Sequence, residues 1–518
     1  MGLLSKSESA KMSKNKNKKV FFLVLVIFFL GLALRAQETI FNNFIFLMDQ
    51  GRDMMAVKRI VYDVDPTLIG PSTSLQGVFQ GPIWYYLLAI PTFIFFGDPW
   101  GTVLLMLIIS IGVLAVTFFW AKSLFGNSVA IFVLFLLAVS PEAVAAATYA
   151  WNPHPMWILI VLYIFSFYEL VGLRRKRFHL VVWPIIALMF HFQTALGVFI
   201  LAASLIFLTF FSRKIFLQKI FLYGVLIASI FFIPQILFDL RHNFLMTKSV
   251  FNILLGQDVG LFVGGEDRDY ITLIKNNISL FYYNFTTAFV RDGYLKDLPK
   301  VALIIIIACL VLQKKIALFS RNERDFISIA LGLVSIVAVF SFLYPFPLRY
   351  WFFTGFQAIY VVIFGLILSK IWQRTIGKIA FSIFAAFLLF YSGEKLYSLY
   401  IGVPDYGGTA KIKGKLDSID YIYKDAKGKN FGLLIFTPPV YTYAYDYLVW
   451  WHGSRQYNYV PHQEKRGTFY LLIEPDSAKP WSYKGWLETV VKAGEPVKTV
   501  ELPSGFIIQK YVEGQNET

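Results

Sequence analysis

Two aspartates and an arginine lie close together near the start of the chain, in the segment FLMDQGRDMMAVKRIVYD. Asp49, Arg52 and Asp53 are spaced i, i+3 and i+4, so they share one face if the segment is helical. A carboxylate beside a cation can act as a general base for an attacking hydroxyl. The same spacing also fits a structural role, in which Asp49 caps the helix and pairs locally with Arg52.

Further polar residues interrupt apolar stretches later in the chain. They are Glu142, Trp151, Asn152 and His154, then His191 and Gln193, then Asp239, Arg241 and His242, and finally Arg349 and Tyr350. Polar side chains in such stretches are costly and tend to be functional. The structural alternatives stay open, since a lone histidine is often a core residue and Asn152–Pro153 could end a helix in a turn. No second histidine lies at metal-ligand spacing from His191, so we expect no zinc site.

A loop rich in glycine and proline follows the first charged cluster, in TLIGPSTSLQGVFQGPIWYYLLAIP. Such a loop cannot lie naked in lipid, so we expect it to pack against protein or to line a wet cavity. Trp84, Tyr85 and Tyr86 come next. Their rings suit either anchoring at the membrane interface or stacking on a sugar.

The composition places these residues in an integral membrane protein. Of the 518 residues, 57% are hydrophobic and 15% charged, whereas soluble chains are nearer half apolar and a quarter charged. Apolar runs of about 15 to 20 residues, close to the length that spans a bilayer, recur from residue 20 to about 395. We predict a polytopic α-helical membrane domain over residues 20–395 and a small appended domain over residues 396–518.

The net charge of +16 comes from lysines and arginines clustered in short loops between apolar runs, which is typical of cytoplasmic loops. The clusters show no groove pattern for nucleic acid, so no such partner is expected. All the lysine and arginine clusters fall on the cytoplasmic side only if residues 82–97 do not cross the membrane. This segment is short and has Pro91 in its middle, so we predict that it forms a hairpin on the outer side. Residues 1–19 are then cytoplasmic, and residues 37–100, 238–299 and the C-terminal domain lie outside the plasma membrane. The eleven predicted spans are 20–36, 101–121, 127–146, 155–172, 179–190, 195–211, 220–237, 300–312, 326–343, 353–370 and 378–395.

The C-terminal segment contains the strand-like stretches GLLIF, TFYLLIE and GFIIQKYV, which predict an α+β domain. Its aromatic segment YTYAYDYLVWWHG suits carbohydrate stacking and docking onto the membrane domain equally well. The single cysteine, Cys309, lies in an apolar run. Neither an intrachain disulfide nor a thiol metal cluster is therefore possible.

The order of the motifs resembles a known family over about residues 20–400. A first helix ending in Leu34-Arg35 precedes an Asp-X-X-Arg motif that opens a helix, and a G-P-X-X-Y-Y-L-L segment follows. This order is similar to that of the family 39 glycosyltransferases of the membrane-embedded C-type fold. The group includes protein O-mannosyltransferases and lipid A aminoarabinose transferases, which use polyprenyl-phosphate sugars on the outer side of the membrane.

The resemblance implies a glycosyltransferase in which Asp49 is the base or the carboxylate that orients the acceptor. The family commonly carries an Asp-Glu pair here, whereas this chain reads Asp49-Gln50, and Asp53 is the candidate replacement. Many relatives also carry an aspartate near the position of Asn152. We expect an inverting transfer of a hexose or pentose to a hydroxyl of a protein, lipid or glycan acceptor.

A polyprenyl phosphate needs its anionic group held at the membrane surface, and a guanidinium can hold it by bidentate hydrogen bonds. Arg349 is the only basic residue of the short outer loops, so it and Arg241 are the candidate phosphate ligands. The other expected substrate contacts are Tyr85, Asn152, His191, Gln193, Asp239 and Tyr350. No cofactor is expected, and the question of a divalent metal stays open.

A non-catalytic role is the alternative, as a flippase of lipid-linked glycans or as an envelope scaffold. A flippase predicts internal repeats and charged groups near the membrane midplane. The sequence shows no internal repeat.

Overall fold

A bundle of apolar helices and a small mixed domain make up the chain, as described by a computed structural model for residues 6–255, 270–290, 300, 318–344, 346–402, 405–438, 440–476 and 478–513. The helices of the bundle are Lys6–Phe41, Trp100–Phe125, Asn127–Val139, Met156–Val171, His179–Phe192, Thr194–Phe211, Lys219–Arg241, Arg321–Phe342, Gln357–Ile371 and Thr375–Tyr400. The helices between them are Met48–Val61, Ile83–Ile94, Pro141–Ala145, Leu245–Leu254 and Tyr270–Thr287.

Six of the described helices are long and apolar enough to cross a membrane, and all six coincide with predicted spans. They are Lys18–Phe41, Trp100–Phe125, Thr194–Phe211, Lys219–Arg241, Arg321–Phe342 and Thr375–Tyr400. The prediction of a polytopic helical membrane protein is confirmed. The predicted span 300–312 lies outside the described residues, apart from Lys300. The predicted span 127–146 stops as a helix at Val139, because Pro141 has no backbone N–H with which to continue it.

Arg35 lies inside the bundle and does not mark a helix end. The first helix continues to Phe41, so the predicted end at Leu34-Arg35 is wrong. The buried guanidinium donates to Ser110 Oγ at 2.9 Å and to the carbonyls of Leu137 and Ala138 at 2.8 and 2.7 Å. Those carbonyls lie at the end of a helix, where the last C=O groups lack partners within the helix. Arg35 therefore fixes the point from which the following loop leaves the bundle.

The segment 82–97 forms one short helix, Ile83–Ile94, of 12 residues. At 1.5 Å per residue such a helix is about 18 Å long, which is too short for a hydrocarbon core of about 30 Å. Its exposed face carries Ile90, Phe93 and Ile94. An apolar exposed face of this kind suits contact with lipid.

Both ends of the segment 82–97 lie beside the external loop or the C-terminal domain. Tyr86 donates its hydroxyl to the carbonyl of Thr67 at 2.8 Å, and Tyr447 of the C-terminal domain donates to the carbonyl of Gly97 at 2.6 Å. The loop that contains Thr67 and the C-terminal domain therefore hold the two ends of this segment. The outer hairpin stays a prediction.

The C-terminal domain contains a four-stranded sheet with the order β1-β2-β4-β3. The strands are β1 (Gly432–Phe436), β2 (Thr468–Ile473), β3 (Lys498–Glu501) and β4 (Ile507–Val512). β1 pairs with β2 in parallel, and β4 pairs antiparallel with both β2 and β3. With the helices Ile412–Ala426, Tyr443–Leu448, Ser454–Tyr457 and Ser482–Trp486 around it, the sheet confirms the predicted α+β character.

The first external loop shares a hydrophobic core with the C-terminal domain. Phe44, Phe46 and Met54 are buried in the same cluster as Ile412 and other residues of that domain. The backbone N–H of Ile412 donates to the carbonyl of Phe44 at 2.9 Å. The helix Met48–Val61 is therefore enclosed between the membrane bundle and the C-terminal domain.

Candidate active site

The helix Met48–Val61, here called the external helix, carries the first charged cluster. The side chain of Gln50 accepts a hydrogen bond from the backbone N–H of Leu47 at 2.9 Å and donates to the carbonyl of Ala150 at 3.1 Å. Gln50 thus provides an acceptor for a backbone N–H group at the start of the helix and links the helix to the bundle. The interpretation of Asp49 as the helix cap is therefore wrong, because Leu47 is the N-cap residue and Asp49 lies within the first turn.

Arg52 joins the two aspartates of the external helix. Its Nη1 atom donates to Asp49 Oδ1 at 2.9 Å, and its Nε and Nη2 atoms donate to Asp53 Oδ1 at 2.9 and 2.8 Å. This arrangement uses the fork of the guanidinium on both carboxylates. The sequence spacing predicted this shared face, and the structure places all three side chains together.

The two aspartates differ in exposure. The side chain of Asp53 is only 2% exposed, and its second oxygen accepts the indole N–H of Trp84 at 2.7 Å. The side chain of Asp49 is 34% exposed, and its second oxygen accepts the indole N–H of Trp151 at 3.2 Å. Asp49 can therefore meet a substrate, whereas Asp53 holds Arg52. The role of Asp53 as a second catalytic carboxylate stays a prediction, and its burial favours a role in holding Arg52.

The electrostatics of the cluster keep Arg52 charged. Burial lowers the pKa of Arg52, but the nearby carboxylates of Asp53 and Asp49 outweigh it and raise the pKa above its usual value. Burial also raises the pKa of Tyr85, and Asp53 adds to this shift while Arg52 opposes it. Tyr85 is therefore a neutral hydroxyl beside a permanent cation.

A second group of residues braces the cluster from the side of the bundle. Asn152 donates through Nδ2 to Gln80 Oε1 at 3.1 Å and to the carbonyl of Phe192 at 2.8 Å. Gln193 donates through Nε2 to the carbonyl of Trp351 at 3.1 Å. Asn152, Gln193 and Gln80 are all buried. The glycine-rich loop that contains Gln80 thus packs against protein, as its composition predicts.

Several predicted substrate ligands are buried. Asn152 and Gln193 are bonded to protein and connect loops, and their contact with a substrate stays a prediction. Tyr85 is also buried, and Trp84 is fully buried against Asp53. Tyr86 remains partly exposed.

The two histidines near the site are packing residues. His191 is fully buried, and a Cβ at Gly81 would lie only 1.8 Å from its Nδ1 atom, so its ring fills the space that the glycine leaves. This burial favours the structural interpretation, and a contact of His191 with a substrate stays a prediction. His154 is buried against Tyr149, with its Nδ1 atom 2.9 Å from the carbonyl of that residue. Burial lowers the pKa of His154 to about 4.

Asp239 has a structural role at the start of the helix Leu245–Leu254. Its carboxylate accepts the backbone N–H groups of Met246 and Thr247, at 2.7 and 3.3 Å, and the hydroxyl of Thr247 at 2.5 Å. The role of Asp239 in substrate binding stays a prediction. The adjacent Arg241 is exposed and makes no hydrogen bond or ion pair with the described residues.

Arg349 and Tyr350 lie on the loop that reaches the cluster from the other side. The guanidinium of Arg349 is half-buried and has no hydrogen bond or ion pair within the described part of the chain. Trp351 follows Tyr350, and its ring centroid is 5.9 Å from that of Trp151. The described contacts therefore join Trp351, two positions after Arg349 in the chain, through Trp151 to Asp49.

Sequence reasoning missed Gln50, Gln80 and Trp351. Their partners lie far away in the chain, so only Trp351, next to Arg349 and Tyr350, carried a local signal. Within the described residues, no three His, Cys, Asp or Glu side chains are close enough to hold a metal ion. A small enclosed cavity of about 10 Å³ lies behind Gln50 and Asp53. It has room for about one water molecule and none for a sugar.

Solved structures have the same fold. The chain is similar to the crystal structure of ArnT from Cupriavidus metallidurans bound to undecaprenyl phosphate, with 12% identity and a TM-score of 0.59, covering 96% of this chain and 98% of that chain. ArnT in the apo state matches with 11% identity and a TM-score of 0.54 over the same shares of both chains. The predicted C-type glycosyltransferase architecture is thereby confirmed.

Other comparisons are weaker or cover less of the chain. The archaeal oligosaccharyltransferase AglB from Archaeoglobus fulgidus matches with 13% identity and a TM-score of 0.45, covering 97% of this chain and 75% of that chain. This score is too low to support an argument. The family model described as dolichyl-phosphate-mannose-protein mannosyltransferase matches residues 80–238. No curated protein matches the chain significantly.

Proposed function

We propose that this protein is a membrane glycosyltransferase that moves a sugar from a polyprenyl-phosphate donor to a hydroxyl acceptor on the outer side of the plasma membrane. The observation that supports the proposal is the exposure of Asp49 together with its hydrogen-bond partners. It is the partly exposed carboxylate of the cluster, and Arg52 and Trp151 hold it from two sides. The N-terminus would be cytoplasmic, and the C-terminal domain would be extracytoplasmic.

The reaction would be a single inverting displacement. The acceptor hydroxyl oxygen attacks the anomeric carbon, and Asp49 takes or orients its proton. The bond between the anomeric carbon and the phosphate oxygen breaks, and the polyprenyl phosphate leaves with the electron pair. A position in the first turn of a helix favours an ionised carboxylate at Asp49. The guanidinium of Arg349, which has no ion pair within the described residues, would bind the departing phosphate.

The comparisons support the class of donor. The ArnT structure with TM-score 0.59 was determined with undecaprenyl phosphate, and the family model matching residues 80–238 describes a dolichyl-phosphate-mannose enzyme. The donor sugar is a hexose or a pentose. The acceptor is a hydroxyl of a protein, a lipid or a glycan.

No observation favours the non-catalytic alternative. Among the described residues, the carboxylates buried in the bundle helices all have partners. Glu38 pairs with Lys411 at 2.8 Å, Glu169 with Arg175 at 2.6 Å and Glu323 with Lys370 at 2.7 Å, and Asp239 accepts the backbone N–H groups of Met246 and Thr247. Paired groups of this kind do not make a proton relay. A flippase would also move lipid-linked sugar across the membrane without transferring it.

Transfer by the purified full-length protein tests the proposal. The donors would be polyprenyl-phosphate mannose and polyprenyl-phosphate aminoarabinose, with membrane extracts as acceptors. Asp49→Asn should lower the turnover at least about a hundredfold, which is the lower end of the rate effects of general bases. Asp65→Asn is the matched control, because Asp65 is exposed on the same loop. Near-wild-type transfer by Asp49→Asn would show that the catalytic carboxylate lies elsewhere, and flipping without transfer would support the alternative.

A further inference from the structure

We propose that the indole rings of Trp151 and Trp351 form the floor on which the ring of the donor sugar lies. The inference rests on the proposed function and adds the place and the chemistry of sugar recognition. The two ring centroids are 5.9 Å apart with planes inclined by 58°, and both side chains are partly exposed. The pair thus offers an aromatic surface about as wide as one sugar ring.

The pair is linked to both groups that the proposed transfer requires. Trp151 donates its indole N–H to Asp49 at 3.2 Å, and Trp351 is two residues from Arg349 on the same short loop. A donor whose phosphate is held by Arg349 and whose anomeric carbon faces an acceptor at Asp49 would bring its sugar close to the two indoles.

Aromatic faces suit this task. One side of a pyranose ring presents C–H groups, while its hydroxyls point outward around the edge. The face of an indole carries partial negative charge, so it attracts those C–H groups and leaves the hydroxyls to polar partners. Such a surface binds hexose and pentose rings alike. The other aromatic residues considered for sugar stacking, Trp84 and Tyr85, are buried.

Both indoles are held in place from behind. The carbonyl of Trp351 accepts hydrogen bonds from Gln193 Nε2 at 3.1 Å and from the hydroxyl of Thr354 at 3.0 Å. The ring of Tyr149 lies nearly parallel to that of Trp151, with centroids 6.1 Å apart and planes inclined by 27°. A surface that is fixed before the ligand arrives loses little entropy on binding.

The test compares two lipids that differ only in the sugar. Undecaprenyl phosphate and undecaprenyl-phosphate mannose would be bound to the full-length protein in lipid nanodiscs. Trp351→Leu should weaken binding of the mannose-bearing lipid about tenfold, the effect of losing roughly one aromatic stacking contact, and should leave the bare phosphate unchanged. Trp351→Phe keeps an aromatic face, so its loss should be smaller. Arg349→Ala should weaken both lipids by the same factor.

Trp481→Leu is the control, because Trp481 is an exposed tryptophan of the C-terminal domain, and it should change neither affinity. Equal loss for both lipids in Trp351→Leu, or loss for neither, would overturn the aromatic floor while leaving the donor class intact. Absence of any binding of the bare phosphate to the wild-type protein would overturn the donor class and the floor with it. If Trp351→Leu does not fold, the same comparison of the two lipids with Trp351→Phe decides.

Discussion

Gly51 lies directly against the backbone of Ala444, so that a Cβ at position 51 would come within 2.2 Å of the Ala444 nitrogen. Gly51 belongs to the external helix between Asp49 and Arg52, and Ala444 is the second residue of the helix Tyr443–Leu448 of the C-terminal domain. The C-terminal domain therefore packs onto the helix that carries the proposed base. Its contribution to activity is to fix the position of that helix.

Gly51→Ala should lower activity without touching a substrate. The added methyl group forces the two helices apart, and overpacking of this kind costs about 1–3 kcal/mol. We expect turnover to fall at least about tenfold and the C-terminal domain to become easier to cleave by protease. Gly112→Ala is the matched control, because nothing lies within 4 Å of a Cβ at that helical position. Full activity in Gly51→Ala would show that this contact is not needed.

Asp49→Asn should affect mainly the turnover, whereas Asp53→Asn should affect mainly the stability of the protein. Asp53 is buried and holds Arg52 and Trp84, and removing one partner of a buried ion pair costs about 3–5 kcal/mol. Asp53→Asn should therefore lower the melting temperature of the purified protein clearly. Asp49→Asn should leave the melting temperature near the wild-type value and remove turnover. Equal melting temperatures for the two variants would contradict this division of roles.

Arg349→Lys should raise the KM for donor even though the positive charge is kept. Lysine presents a point charge and lacks the planar fork that binds phosphate at two oxygens. We expect an increase in the KM for donor that is larger for Arg349→Ala than for Arg349→Lys. Arg241→Ala gives the comparison, since Arg241 is exposed and ends the helix Lys219–Arg241. An unchanged KM for donor in Arg349→Ala would transfer the phosphate role to another residue.

Labelling of single cysteines should place positions 98 and 122 on opposite sides of the membrane. The background would be Cys309→Ala, which removes the only native cysteine. Asp98 follows Gly97, which is bound by Tyr447 of the C-terminal domain, whereas Lys122 lies in the last turn of the helix Trp100–Phe125. Asp98→Cys should react with an impermeant reagent from outside, and Lys122→Cys should be protected in intact cells. A protected position 98 would mean that residues 82–97 cross the membrane.

The class of protein and its local motifs could be determined from the sequence. Hydrophobic runs of spanning length follow from composition, and the strands of the C-terminal domain follow from their apolar and β-branched stretches. The contact of Arg52 with Asp49 could also be predicted, because residues three apart on a helix are neighbours by geometry alone. These features depend on residues close together in the chain.

Only the tertiary structure decided which of those residues face a substrate. Asp49 and Asp53 have the same chemistry and nearly the same position, yet packing by Trp84 buries one and leaves the other partly exposed. At the start of the external helix, the side chain of Gln50 accepts a hydrogen bond from the backbone N–H of Leu47. The carbonyl of Ala150, a hundred residues away, holds the amide of Gln50 in place. Trp351 became a candidate only when folding brought it beside Trp151. Burial and long-range pairing depend on which distant segments meet, and local sequence patterns do not carry that information.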